Sequence, residues 1–261
     1  MSINIFGAEP LEQNIVFAKE IYGYDVITVP DGIYLFHNSI QDVYSNQYIQ
    51  LTNNAPDILE IKKQFLLQKK RLSIVIPSFV ISQPVELLRA NSIEIFKKEV
   101  YMSYDGFETE TSKVFNNLKL VLDTNSLIFK DVFQKVFATE NNNNPYNGLD
   151  LGYLKLIDYS YINQKPDFKV ENFIILSGNL PVGCITLVSN SVCSFIYNAG
   201  TLESFRKQGI GTFATFAIIK HWKKNQQNQQ LFLVSAEGVL ENWYAKLGFR
   251  TIFSQTIYRE L

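Results

Sequence analysis

The chain has 261 residues, 46% of them hydrophobic, including 20 Phe and 14 Tyr; this excludes global disorder and supplies one or two packed cores. With 24 basic against 25 acidic side chains and a formal net charge of -1, it lacks the cationic excess that draws proteins onto phosphate backbones, so nucleic acid is not an expected partner. The start, Met1-Ser2-Ile3-Asn4, is not a basic stretch followed by an apolar run, and no segment approaches the ~18 continuous apolar residues of a membrane span, so a soluble, cytoplasmic chain without membrane contact is expected.

In chain order, Asp25–Val29 and Ile33–Phe36 predict a hairpin turned through Pro30-Asp31-Gly32. From Pro56 a helix is signalled by Ile58, Ile61 and Phe65 on one face, with Pro56 in its first turn and its end near Arg71. A strand at 72–76, a short helix from Pro84 to Ala90 and a strand from Ile93 to Tyr101 follow. The polar stretch around Gly106-Phe107-Glu108-Thr109-Glu110 lacks apolar periodicity. It marks a boundary: a module at 1–105, a linker at 106–116 and a second module at 117–261. The second module opens with a strand at 118–122 and a helix at 126–138, followed by a surface loop through Asn141–Asn144 and Pro145 and a helix at 153–161. An antiparallel meander at 173–176, 182–188 and 192–201 comes next. Cys184 and Cys193 flank a hairpin turn predicted at Ser189-Asn190, whose register sets Cys184 opposite Phe195 or Ile196. With only two histidines and no metal-ligand spacing, both cysteines read as small buried hydrophobes and no metal is expected.

The stretch Thr201-Leu202-Glu203-Ser204-Phe205-Arg206-Lys207-Gln208-Gly209-Ile210-Gly211-Thr212 joins a strand to an apolar helix. A strand feeding a helix through glycines exposes backbone N–H groups at the positive end of the helix dipole, where an anion can approach closely. The spacing is neither the three-glycine dinucleotide fingerprint nor the nucleotide P-loop, and taken alone it also fits a helix start with two convenient glycines. Downstream lie a strand at 231–235, a polar loop from Asn225 to Gln230 before it, a short helix at 240–247, and Gly248-Phe249 breaking into a final strand.

Arg206-Lys207-Gln208-Gly209-Ile210-Gly211, followed at this distance by Trp243-Tyr244-Ala245-Lys246-Leu247-Gly248-Phe249, resembles the GNAT superfamily of coenzyme A-dependent N-acyltransferases over roughly residues 117–258. The resemblance implies an α/β (α+β) fold, a mixed sheet flanked by helices, with acetyl-CoA as co-substrate and an amine as acceptor. It implies that the pyrophosphate rests on Arg206, Lys207, Gln208, Gly209, Ile210, Gly211 and Thr212, and that the pantetheine arm runs beside the strand at Ala199 and Thr201. Ala199 N–H or a near neighbour would polarise the thioester carbonyl. Tyr244 matches the tyrosine that protonates the departing thiolate. Where many relatives carry Asn seven residues before that Tyr, this chain has Glu237, which is a candidate base for the amine proton beside Asn198, Glu203 and a relay of waters. The order helix, strand, helix, strand at 57–101 suggests a degenerate first copy, because Gln50–Pro56 holds no glycine. A catalytically silent coenzyme A sensor is the rival reading. Transfer of longer acyl chains, through a groove beside Phe195 and Phe232, is a further one. The acceptor and the oligomeric state are not legible in the sequence.

Overall fold

The N-terminal hairpin pairs as its residues dictate: β1 (Asp25–Val29) and β2 (Gly32–Phe36) are antiparallel with Val29 opposite Gly32. The computed structural model describes residues 8–81, 84–106, 115, 117–137, 150–225 and 229–260, and it divides into two units. The first comprises Met1–Tyr101, Ser235–Glu241 and Thr251–Leu261; the second comprises Met102–Val234 and Asn242–Arg250. The sequence reading assigned all of 117–261 to one module, whereas two C-terminal segments pack with the first unit.

In the first unit, α1 (Glu9–Tyr22) and β3 (Gln47–Gln50) join the predicted elements. They are followed by α2 (Ile58–Leu67), β4 (Ser73–Pro77), α3 (Val85–Ala90) and β5 (Ile93–Tyr104). Helix α2 starts after Pro56, with Asp57 as its cap accepting from Glu60 N–H at 3.1 Å, and it ends at Leu67, short of Arg71. The strand order is β1-β2-β3-β4-β11-β5, where β11 is the final strand, Phe249–Glu260. Its Thr256 and Ile257 lie opposite Ile76 and Val75 in antiparallel register, and this pairing is what draws the C-terminus into the first unit. Strands β3 and β4 are parallel, bridged by α2, whose Ile58, Ile61 and Phe65 pack on Tyr34, Phe36 and Ile74.

The second unit holds β6 (Leu118–Leu122), α4 (Leu127–Phe137), α5 (Tyr153–Ile162), β7 (Lys169–Ser177), β8 (Leu180–Ser189) and β9 (Cys193–Thr201). Helix α6 (Ile210–Asn225), β10 (Gln230–Ala236) and α7 (Val239–Ala245) follow, the last two running into the segment shared with the first unit. Its strand order is β10-β9-β8-β7-β6. One face is covered by α4 and α5 through Phe129, Phe133, Val136 and Ile157, packed on Ile174 and Cys184. The β8–β9 turn sits two residues later than predicted, with Ser189 opposite Ser194 and Asn190 accepting from Val192 and Cys193. Cys184 therefore faces Gly200, not Phe195 or Ile196, and both cysteines are free and buried. Most of the predicted 106–116 linker, the Asn141–Asn144 loop and the middle of the Asn225–Gln230 loop lie outside the described residues.

The two halves repeat one plan. A meander, β1-β2-β3 or β7-β8-β9, feeds a helix that crosses to a parallel strand, β4 or β10, and a short helix with a long strand follows.

Candidate functional site

Strand β9 leads through a single 3-10 turn, Glu203–Phe205, into the start of α6. The reversal is made by Lys207 and Gly209, at φ +61 and +84, both in the left-handed region that glycine adopts without steric cost. Two side chains brace the turn from outside: Arg206 Nε donates to Thr201 O at 3.2 Å and Gln208 Nε2 to Ser204 O at 3.1 Å. The first intrahelical bond runs from Phe213 N–H to Gly209 O, so the amides of Ile210, Gly211 and Thr212 stand ahead of it at the positive end of a 16-residue helix. The predicted cradle residues are thus gathered on one turn whose donors point out of the helix.

Beside this turn, β9 and β10 part. Their parallel register runs from Cys193/Gln230 to Ile196/Leu233 and stops, although β9 continues to Thr201. In the same stretch β9 is bulged against β8, because Thr186 faces Tyr197 while Cys184 faces Gly200, so that Asn198 and Ala199 oppose Ile185 alone. Asn198 takes φ +53, uncommon for a residue with a side chain. The bulge thus stands where Ala199 and Thr201 were expected to receive an extended ligand arm. A Cβ on Gly200 would overlap Val136 and lie 2.8 Å from Phe137 on α4, so a side chain here would have to displace the helix's residues.

Tyr244 belongs to the same unit. Its ring is 8% exposed and makes edge contacts with Trp243 at 4.6 Å and Phe249 at 5.7 Å. Burial alone pushes its phenol far above the ordinary value, so the group stays protonated through the neutral range. Trp243 also approaches the glycine turn, since a Cβ on Gly211 would sit 3.4 Å from its indole. Trp243 therefore ties the first turn of α6 to Tyr244, a role that sequence reading did not assign although the residue stands next to the tyrosine.

Glu237 lies in the first unit, exposed, with its N–H donating to Lys98 O at 3.2 Å and its carboxylate 3.9 Å from Lys98 Nζ. Glu203 is exposed on the 3-10 turn. Phe195 and Phe232 are fully buried against each other, ring centroids 5.3 Å apart. Among the described residues no group of three or more His, Cys, Asp or Glu side chains is gathered as for a metal ion, and no helix is long and apolar enough to cross a membrane.

No protein-family model matches the sequence, and no curated protein matches it. Solved structures do match. A GCN5-related N-acetyltransferase from Kribbella flavida aligns with a TM-score of 0.67 at 13% identity over 99% of this chain and 96% of its own. A conserved protein of unknown function from Staphylococcus epidermidis aligns with 0.62 at 18% identity over 94% of this chain and 97% of its own. A tandem GNAT protein from the clavulanic acid biosynthesis pathway aligns with 0.58 at 10% identity over 89% of this chain and 80% of its own. With its mixed sheets flanked by helices, this chain has the fold of the GCN5-related N-acetyltransferases, tandem members included.

Proposed function

We propose that the second unit is a coenzyme A-dependent N-acyltransferase that moves an acetyl group from acetyl-CoA to an amine by direct attack. The observation that carries this is the continuity of the bulged end of β9, beyond its last pairing with β10, with the left-handed turn at Lys207–Gly209. A strand edge that has lost its neighbour offers backbone groups to an extended amide-bearing arm, and the adjoining helix start offers amides to a diphosphate. Residues Arg206 to Thr212 hold the pyrophosphate, and the edge from Ala199 to Thr201 holds the pantetheine and polarises the thioester carbonyl.

A neutral amine attacks that carbonyl, the C–N bond forms, and the tetrahedral intermediate collapses with loss of the C–S bond. The thiolate must take up one proton and the amine must lose one. Tyr244 is the candidate to supply the first by its match to the family's motif; burial keeps its phenol protonated through the neutral range and also makes it a weaker acid than free tyrosine. Glu203 or a relay of waters is the candidate to receive the second, since Glu237 belongs to the first unit. The first unit is a degenerate copy of the same plan. The whole works in the cytoplasm and uses no metal.

The test is release of free coenzyme A thiol from acetyl-CoA with amines, polyamines, aminoglycosides, amino acids and peptide N-termini supplied in turn. Failure to bind acetyl-CoA at all overturns the proposal. Binding without thiol release from any acceptor class supports a silent coenzyme A sensor instead.

A further inference from the structure

The bulge on β9 is held from the neighbouring strand by two side chains that flank it. Asn198 Nδ2 donates to Thr186 Oγ1 at 3.1 Å, and the Cys184 thiol donates to Asn198 O at 3.4 Å. Burial pushes the Cys184 thiol up, so it remains a donor. Thr186 is 0% exposed, and its hydroxyl donates to Asn172 Oδ1 at 2.7 Å. Asn172, 4% exposed, also hydrogen-bonds the Tyr161 phenol, which donates to Asp123 Oδ2 at 3.4 Å. Asp123 is itself fixed by capping α4, accepting from Phe129 N–H at 3.0 Å. The row therefore runs from a capped carboxylate, across β7 and β8, to the bulge.

A buried polar row is costly unless it is satisfied, and this one ends on a residue in an unfavourable backbone conformation. Left-handed backbone is unfavourable for a residue with a side chain, least so for Asn, and an amide held by a buried hydroxyl helps to offset that cost. The peptide between Asn198 and Ala199 is trans, so its N–H lies antiparallel to its C=O. With the Asn198 carbonyl directed at Cys184 on β8, the Ala199 N–H is directed away from β8, toward the side of β9 where pairing with β10 has ended.

We propose that Thr186, backed by Asn172 and seconded by Cys184, is a positioning residue: it locks the Asn198–Ala199 peptide so that the Ala199 N–H meets the thioester carbonyl. The inference rests on the acyltransferase reading and adds the device that aims its polarising amide. Thr186 touches no substrate and acts through Asn198.

The test uses the full chain with acetyl-CoA carrying ¹³C at the acetyl carbonyl, and reads the carbonyl stretch of the bound ligand together with calorimetric affinity for free coenzyme A. Wild type is expected to lower the stretch relative to free ligand. Thr186→Val deletes the hydroxyl at nearly constant volume and should lose that downshift while coenzyme A affinity stays within about twofold; Thr186→Ser should restore it. Should Thr186→Val not fold, as judged by near-ultraviolet circular dichroism, Asn198→Ala removes the same tether from a partly exposed site and should give the same loss. A full downshift in the tetherless variant that folds, a serine variant that fails to restore it, or a wild type that binds coenzyme A with no downshift each overturns the inference alone. A wild type that does not bind coenzyme A overturns the acyltransferase reading and the inference with it.

Discussion

Gly211→Asp places a carboxylate on the first turn of α6, in the space assigned to the pyrophosphate. The site accepts a side chain: its φ is not left-handed, and the new Cβ would meet Trp243 at 3.4 Å, an ordinary contact. An acidic residue in a first helical turn also interacts favourably with the dipole, so the melting temperature should hold or rise. Against a phosphate about 5 Å away in a medium of effective dielectric ~20, one added negative charge costs about 3 kcal/mol, or roughly two decades of affinity. Gly211→Asn is the control, with the same bulk and no charge, and the ratio between the two variants isolates electrostatics. Calorimetric titration with coenzyme A at low and high salt should show that ratio shrinking as the ions screen it. Aspartate and asparagine variants that both bind within about twofold of wild type would refute the placement of the pyrophosphate on this turn. Gly209 is the poorer site for this experiment, because at φ +84 any side chain adds a backbone cost of about 1–2 kcal/mol that has nothing to do with the ligand.

Tyr244→Phe, which deletes only the hydroxyl, should lower kcat by roughly 10²–10⁴ with coenzyme A affinity nearly unchanged, and turnover within about a factor of two of wild type would remove the acid role. The folded phenol titrates above its unfolded value of 10.0, so its contribution to stability is constant below that pH and is lost only as pH rises past it. Accordingly the kcat profile should show no descending limb from Tyr244 between about pH 6 and 9, and a limb that disappears in the phenylalanine variant would contradict the burial argument. Gly200→Ala should destabilise the chain by about 1–3 kcal/mol in urea unfolding, since α4 leaves no room for the methyl group; a wild-type midpoint would show that α4 can shift. Coenzyme A should bind with one site per chain, and two equivalent sites by calorimetry would mean that the first unit keeps a working cradle.

Where local chemistry and burial agree, the sequence reads well. The hairpin at 25–36, the β7-β8-β9 meander and the glycine turn into α6 each combine apolar strands with turn residues, and each stands within a few residues of its predicted place. Helix α1 carried its signals too: Glu9 and Glu12 in the first turn, Pro10 near its start, and Gly23 as a left-handed C-cap at φ 72. Strand β3 did not, because Gln50, at its end, is fully buried and is satisfied by Tyr48, Thr52 and Asn54 instead of being apolar. The row from Asp123 to Asn198 was illegible for the same reason: its members are far apart in sequence and meet only through strand register. Nor does any local pattern announce that β11 pairs with β4, since that choice is made by tertiary pairing between strands about 180 residues apart.

The repeat makes the first unit as informative as the second. Both units send a strand into a helix that crosses to a parallel neighbour, so both had the opportunity to leave amides free at a helix start. In the second, glycine and a left-handed lysine turn the chain while the side chains brace it from outside. In the first, Asp57 puts its own carboxylate on the Glu60 amide, and Glu60 adds a second acidic group to the turn. The loop ahead of it is tied inward as well, with Thr52 and Asn54 both bound to Asp31. An anion arriving at α2 would therefore meet a capped amide and two like charges, and repulsion adds to the loss of donors. The same architecture thus has two stable endings: a helix start closed by its own side chain, which contributes to folding, and one left open, whose unsatisfied donors a ligand must complete. Only the open start is continuous with a bulged strand edge, and that coincidence in one unit is why the acyl-transfer site is assigned to the second unit and not to both.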